Sequence, residues 1–137
     1  FFTELRIGTG YGPLSEGRID AWAMDTWPSR GLKKYAYEVK VSRADFLREL
    51  KQPWKRQAAL DYSNLFYFAA PVGLVKRGDL PREAGLIEVD EAGLYHVKVP
   101  APYRDCLPTA PWLFLAAVAR HSQAEGLLNA LGRSQQG

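Results

Sequence analysis

The sequence predicts a single mixed α/β domain with a mixed central sheet. The apolar spacing switches from a period of two to about 3.6 and back along the chain, so strands and helices interleave. At 137 residues the chain can fill one core but not two, and its 47% hydrophobic and 24% charged residues are the composition of a folded domain. The expected order is helix, strand pair, helix, strand, hairpin, helix. One domain covers 1–137, with its core over about 1–90, a C-terminal hairpin and helix over 86–131, and a tail at 132–137.

Phe1, Phe2 and Leu5 suit the last turns of a helix that begins before the first residue, and Glu4 would ride on it. GTGYGPLSEG, with its glycines and Pro13, reads as loop. RIDAWAM (18–24) and YAYEVKV (35–41) then read as a strand pair, joined through DTWPSRGLKK, where Pro28 and Gly31 supply turn chemistry. In the second strand Tyr35, Tyr37, Val39 and Val41 share one face, and Ala36, Glu38, Lys40 and Ser42 share the other.

SRADFLRELKQ changes to helical spacing, with Phe46, Leu47 and Leu50 as its apolar stripe and Ser42 as N-cap. Pro53 should end it, because the ring clashes with the carbonyl four residues back. PWKRQAALDY is a second helical piece, with Trp54, Ala58 and Tyr62 along one side. LFYFAAP reads as a buried strand, and LIEVD with LYHVKV as a hairpin turning at Glu91, Ala92 and Gly93. A last helix starts at Thr109, has Pro111 just inside, and runs to about Leu131.

One cysteine, Cys106, and two histidines, His96 and His121, exclude an internal disulfide and a zinc site built from Cys and His. Nothing here asks for an oxidising compartment, so a cytoplasmic location is expected. No apolar run reaches the ~18 residues of a membrane span; APWLFLAAVA stops at Arg120. FFTELRIG lacks the basic start of a signal peptide, and the missing initiator methionine suggests that a few residues precede it. A net charge of +3 and a pI near 9.1 permit a polyanionic partner without requiring one.

The charges inside the strand pair need an explanation, since each buried charge is costly unless paired or bound to a metal. Glu38 and Lys40 lie two apart, hence on one face and roughly 6.5–7 Å apart. If the strands are neighbours, Asp20 lies roughly 5 Å away in the pairing direction. Two carboxylates that close repel, and one must hold a proton unless a cation intervenes. Mg²⁺ accepts one or two carboxylates and keeps several of its waters, which suits Asp20 and Glu38. Lys40 would then reach a bound water or a phosphate oxygen.

Asp20 followed by Glu38-Val39-Lys40 resembles the signature of the PD-(D/E)XK nuclease superfamily. The setting is similar too: a preceding helix bearing Glu4, a strand pair, a helix containing Asp45-Phe46, and a strand ending in proline at LFYFAAP. Small stand-alone phage and bacterial nucleases and the MmcB-like DNA repair proteins are the branches it most resembles. The likeness covers roughly residues 4–90, and Ile19 stands where the signature has proline. It implies a restriction-endonuclease-like αβββαβ core and a Mg²⁺- or Mn²⁺-dependent deoxyribonuclease acting in DNA repair, recombination or phage DNA processing. Asp20, Glu38 and the Val39 carbonyl would be metal ligands, Glu4 an additional helix carboxylate, and Lys40 the group that orients the attacking water. Gln57 resembles a helix glutamine of certain branches. The rival reading is a DNA-binding repair module of the same fold that has lost turnover. A homodimer or a larger DNA-processing assembly is compatible with either.

For DNA contact the sequence offers Arg43, Arg48, Lys51, Lys55 and Arg56, with Lys33 and Lys34 from the loop between the strands. A bland reading, a solvated helix face, explains the same run of charge equally well. Tyr11 would approach substrate if GTGYG lies at the mouth of the site. That stretch is expected to follow a helix rather than a strand, and it carries no Gly-Lys-Ser/Thr, so neither phosphate-loop fingerprint is expected. Trp22 shares the Asp20 face and is expected in the core.

Overall fold

LFYFAAP is the most apolar strand of the chain, and it becomes one of the two central strands of the sheet. In the computed structural model the described residues are 2–7, 17–25, 28–106 and 117–123. Six strands form one sheet among them: β1 (Phe2–Ile7), β2 (Gly17–Met24), β3 (Lys34–Val39), β4 (Leu65–Pro71), β5 (Ala84–Val89) and β6 (Tyr95–Val99). Their spatial order equals their chain order. β1, β2 and β3 form an antiparallel meander, β3, β4 and β5 are parallel, and β6 returns antiparallel. A parallel step needs a crossover. Between β3 and β4 it is made by α1 (Arg43–Leu50), a single 3₁₀ turn at Pro53–Arg56, and α2 (Gln57–Asp61).

The register lines apolar side chains up in rows across the sheet. Trp22, Ala36, Phe66 and Ala84 make one row over β2–β5, and Phe68 and Leu86 begin the next. Phe46 of α1 closes over these rows, edge-on to Phe68 at 5.3 Å, and Phe68 meets Phe66 edge-on at 5.1 Å. All of these phenylalanines are fully buried, and burial of each such side chain stabilises the fold by about 1.5–3 kcal/mol. Trp22 is core as expected, and its indole N–H donates to the Tyr62 carbonyl at 2.9 Å, tying β2 to the end of α2. Gly85 permits a close approach on the opposite side: a Cβ there would stand 2.5 Å from the Tyr67 ring and from the Ala101 amide nitrogen.

Ser42 caps α1 by accepting a hydrogen bond from the Asp45 amide at 3.2 Å, and Pro53 opens the 3₁₀ turn that follows. The LFYFAAP strand and the hairpin also form as the periodicity predicts. The N-terminal expectation fails. Residues 2–7 form an edge strand, not a helix, so Glu4 sits on β1. The apolar spacing of Phe2 and Leu5 suits either element; the free edge of β2, whose backbone groups need partners, favours the strand. The helical stripes are also narrower than expected, with Leu47 38% and Trp54 66% exposed.

Residues 117–123 are helical and fall within the expected last helix, with Ala117 buried in the core. The rest of that helix, its start at Thr109 and Pro111, and the glycine loop with Tyr11 lie outside the described residues. Among the described residues no helix is long and apolar enough to cross a membrane.

Candidate functional site

The ladder between β2 and β3 runs from Met24–Lys34 to Ala21–Tyr37 and stops there. One position beyond the last pair lie Asp20, within β2, and Glu38, near the end of β3. In place of a further ladder bond, the Asp20 carboxylate accepts a hydrogen bond from the Val39 amide at 3.0 Å. The two acids therefore meet where the strands part, as the sequence predicts.

Their proximity is visible in the titration of Glu38. Its carboxyl is pushed up to about 7, first by burial, then by the charge of Asp20, with Glu49 and a hydrogen bond to Asp20 adding to the rise. Lys40 opposes the shift but does not cancel it. Lys40 follows directly after β3, and its amide still bonds the Ala69 carbonyl at 2.9 Å, so its position is fixed by the parallel ladder. Its ammonium stands 3.8 Å from Glu38 Oε1, 3.7 Å from Asp45 Oδ2 and 3.2 Å from Glu49 Oε1.

Glu49 is a member that sequence reasoning missed. It lies three residues after Phe46 on the buried side of α1 and is flanked by Lys40 and by Arg56 Nη1 at 3.6 Å. An acid at core spacing in an amphipathic helix was the available signal. Glu4 belongs to β1, where the registered pairs Thr3–Ala21 and Leu5–Ile19 put its backbone level with Asp20. Glu4, Asp20 and Glu38 thus occupy one level across three neighbouring strands. Among the described side chains no set of three or more His, Cys, Asp or Glu residues is arranged to share a metal.

A cleft of about 980 Å³ opens beside Lys40, lined by Val39, Val41, Pro71, Val72, Val89 and Asp90 among others. It lies at the carboxyl ends of the parallel strands β3, β4 and β5, where ligands bind in open α/β sheets.

The basic residues divide into two groups. Arg43 donates to the Leu74 carbonyl at 2.9 Å and to Asp79 at 2.7 Å, and Arg56 is buried with Nε and Nη2 both on Glu83 Oε1. These two are structural ties rather than the free phosphate contacts expected. Their partners come from segments about thirty residues away, which helical spacing does not reveal. Gln57 donates to Asp61 at 2.8 Å along its own helix, not to the acids. Lys33, Arg48, Lys51 and Lys55 remain exposed, and Lys34 is half-buried, its ammonium 3.5 Å from the Leu32 carbonyl. Lys76, Arg77 and Lys98 add exposed positive charge, with Arg77 bonded to the Lys98 carbonyl at 3.3 Å.

No protein-family model and no curated relative matches this sequence. Among solved structures, the chain is similar to the SPO1766 protein of unknown function from Silicibacter pomeroyi. The two share 24% identity with a TM-score of 0.62, over 99% of this chain and 82% of that one. At that level the likeness concerns the fold alone: a mixed-sheet α/β domain.

Proposed function

We propose that this chain is a metal-dependent DNA nuclease of the PD-(D/E)XK type, hydrolysing phosphodiester bonds with Mg²⁺ or Mn²⁺. The observation that carries the reading is the conflict between Asp20 and Glu38: two carboxylates converge where β2 and β3 part, and one is driven to hold a proton near neutral pH. A dication resolves that conflict, whereas a structural ion pair would have been built with a cation closer than the 3.8 Å of Lys40. The donor set fits Mg²⁺ or Mn²⁺: two carboxylates, with the Val39 carbonyl as the expected third, all hard oxygen ligands. Glu4, level with Asp20 on β1, is a fourth candidate. An order of meander, crossover helices and parallel strand that is compatible with the βββαβ part of the expected core supports the reading.

When bound, such an ion lowers the pKa of its water and draws charge from the phosphate. The chain's own residues do the rest. Asp20 and Glu38 fix the position of the scissile group where the β2–β3 ladder stops. Lys40, its ammonium 3.8 Å from Glu38 and 3.2 Å from Glu49, sets a cation beside the acids where negative charge develops on the phosphate. The exposed Lys33, Arg48, Lys51 and Lys55 follow the DNA backbone, which makes binding salt dependent. DNA repair, recombination or phage DNA processing in the cytoplasm is the setting this chemistry suits.

The test is incubation with supercoiled, nicked and flapped DNA in Mg²⁺, Mn²⁺ or EDTA. Cleavage is expected with either metal, none in EDTA, and none for Asp20→Ala or Lys40→Ala. Cleavage that survives in those variants contradicts the site. Tight DNA binding by the wild type without turnover in any metal favours the inactive DNA-binding module.

A further inference from the structure

On the buried face of α1, Glu49 stands between two cations of different freedom. On one side is Arg56, whose guanidinium is clamped to Glu83 through Nε at 3.1 Å and Nη2 at 2.9 Å, and whose Nη1 also donates to the Glu49 carbonyl at 3.4 Å. On the other is Lys40, a point charge on a flexible four-carbon stem. Glu49 Oε1 is 3.2 Å from the Lys40 ammonium, nearer than Glu38 or Asp45. Its side chain is 4% exposed, against 42% for Asp45 and 18% for Glu38. Its second oxygen, Oε2, accepts no hydrogen bond among the described residues.

That is a poor arrangement for stability alone. A buried acid with an unsatisfied oxygen between two cations is often no better than apolar side chains of the same volume. As a positional device it is well placed. We infer that Glu49 is a positioning residue for Lys40, transmitting the fixed place of the Arg56–Glu83 clamp to the ammonium beside Glu38. Its part in cleavage rests on the nuclease reading, since Glu38 is there given over to the metal. Lys40 then keeps Glu49 as its one buried anchor. An ammonium displaced by about 1 Å from a reacting phosphate can cost a hundredfold in rate.

Two readouts keep the inference separate from the reading it rests on. The first needs no activity: the NMR order parameter of the Lys40 ε-ammonium in wild type, Glu49→Gln and Glu49→Asp. Glu49→Gln is expected to release Lys40 to the mobility of the exposed Lys51 and Lys55, and Glu49→Asp to fall between. The second is Mn²⁺-supported cleavage of plasmid DNA by wild type, Lys40→Ala, Glu49→Gln and the double variant, well below each melting temperature. Glu49→Gln is expected to lower kcat about ten- to a hundredfold, leave KM for DNA within about twofold, and cost nothing further on Lys40→Ala. An unchanged Lys40 order parameter in both Glu49 variants overturns the inference, as does a kcat loss that adds in full to that of Lys40→Ala. If the wild type does not cut while Glu49→Gln frees Lys40, the nuclease reading fails and the positioning role stands.

Discussion

Glu38, half-buried, and Glu88, buried, are acids on the same face of the sheet, one on each strand flanking β4, yet the fold treats them in opposite ways. Glu88 accepts the Gly73 amide at 2.8 Å and has His96 at 3.5 Å and Lys98 at 3.6 Å. The Gly73 amide chiefly, helped by Lys98 and His96, holds its carboxyl below the usual range. Glu38 has Lys40 at 3.8 Å and a second carboxylate beside it, and is pushed up to about 7. Burial is common to both; partners decide the outcome. Glu88 is complete as it stands and pins the turn after β4. Glu38 is a carboxylate whose charge the fold leaves poorly balanced, as the proposed metal site requires.

The largest expected difference between them is in catalysis. Glu38→Gln should lower metal-dependent DNA cleavage at least about a hundredfold, the scale of removing one aimed polar group from a transition state, while Glu88→Gln stays within about twofold. Equal losses in a gel-based nicking assay would erase the distinction.

The next effect lies in stability against pH, where the two acids act with opposite sign. Glu38 binds its proton more tightly in the fold than in the unfolded chain, so stability falls as pH rises from 4.5 to about 7, by as much as about 3 kcal/mol. Urea unfolding across that window should show the fall in wild type and in Glu88→Gln, and Glu38→Gln should flatten it. Glu88, held low, contributes stability that is present above the usual carboxylate range and lost as pH falls through its folded value. Acid unfolding should therefore shift in Glu88→Gln and not in Glu38→Gln.

The smallest effect is the stability cost of Glu88→Gln at pH 7. The amide oxygen still accepts from Gly73, so only the charge assistance is lost, about 1 kcal/mol by urea titration. A loss several times larger would mean that Glu88 holds more of the fold than its turn.

The pair also shows where sequence reading reaches its limit. Asp20, Glu38 and Lys40 were legible because their meeting depends only on strand period and on neighbouring strands. α1, its Ser42 cap and the β4 strand were legible from local spacing and capping chemistry. Glu88 and Glu49 were not, since their partners, Gly73, Lys98 and Arg56, are brought in by a turn, a hairpin and the 3₁₀ turn after α1. Arg43 and Arg56 looked free for the same reason: Asp79 and Glu83 reach them only after the chain has crossed the sheet. The N-terminal strand was misread because Phe2 and Leu5 fit two periods, and the deciding partner, β2, lies beyond a loop.

The central claim is that Asp20 and Glu38 together take a hard dication, and calorimetric titration with Mn²⁺ tests it most directly. Run near pH 7 in buffers of different ionisation enthalpy, wild type should bind the ion and release a proton as Glu38 gives up its hydrogen, and Glu38→Gln should lose both signals. No uptake by the wild type, or the same uptake and proton release in Glu38→Gln, would contradict it.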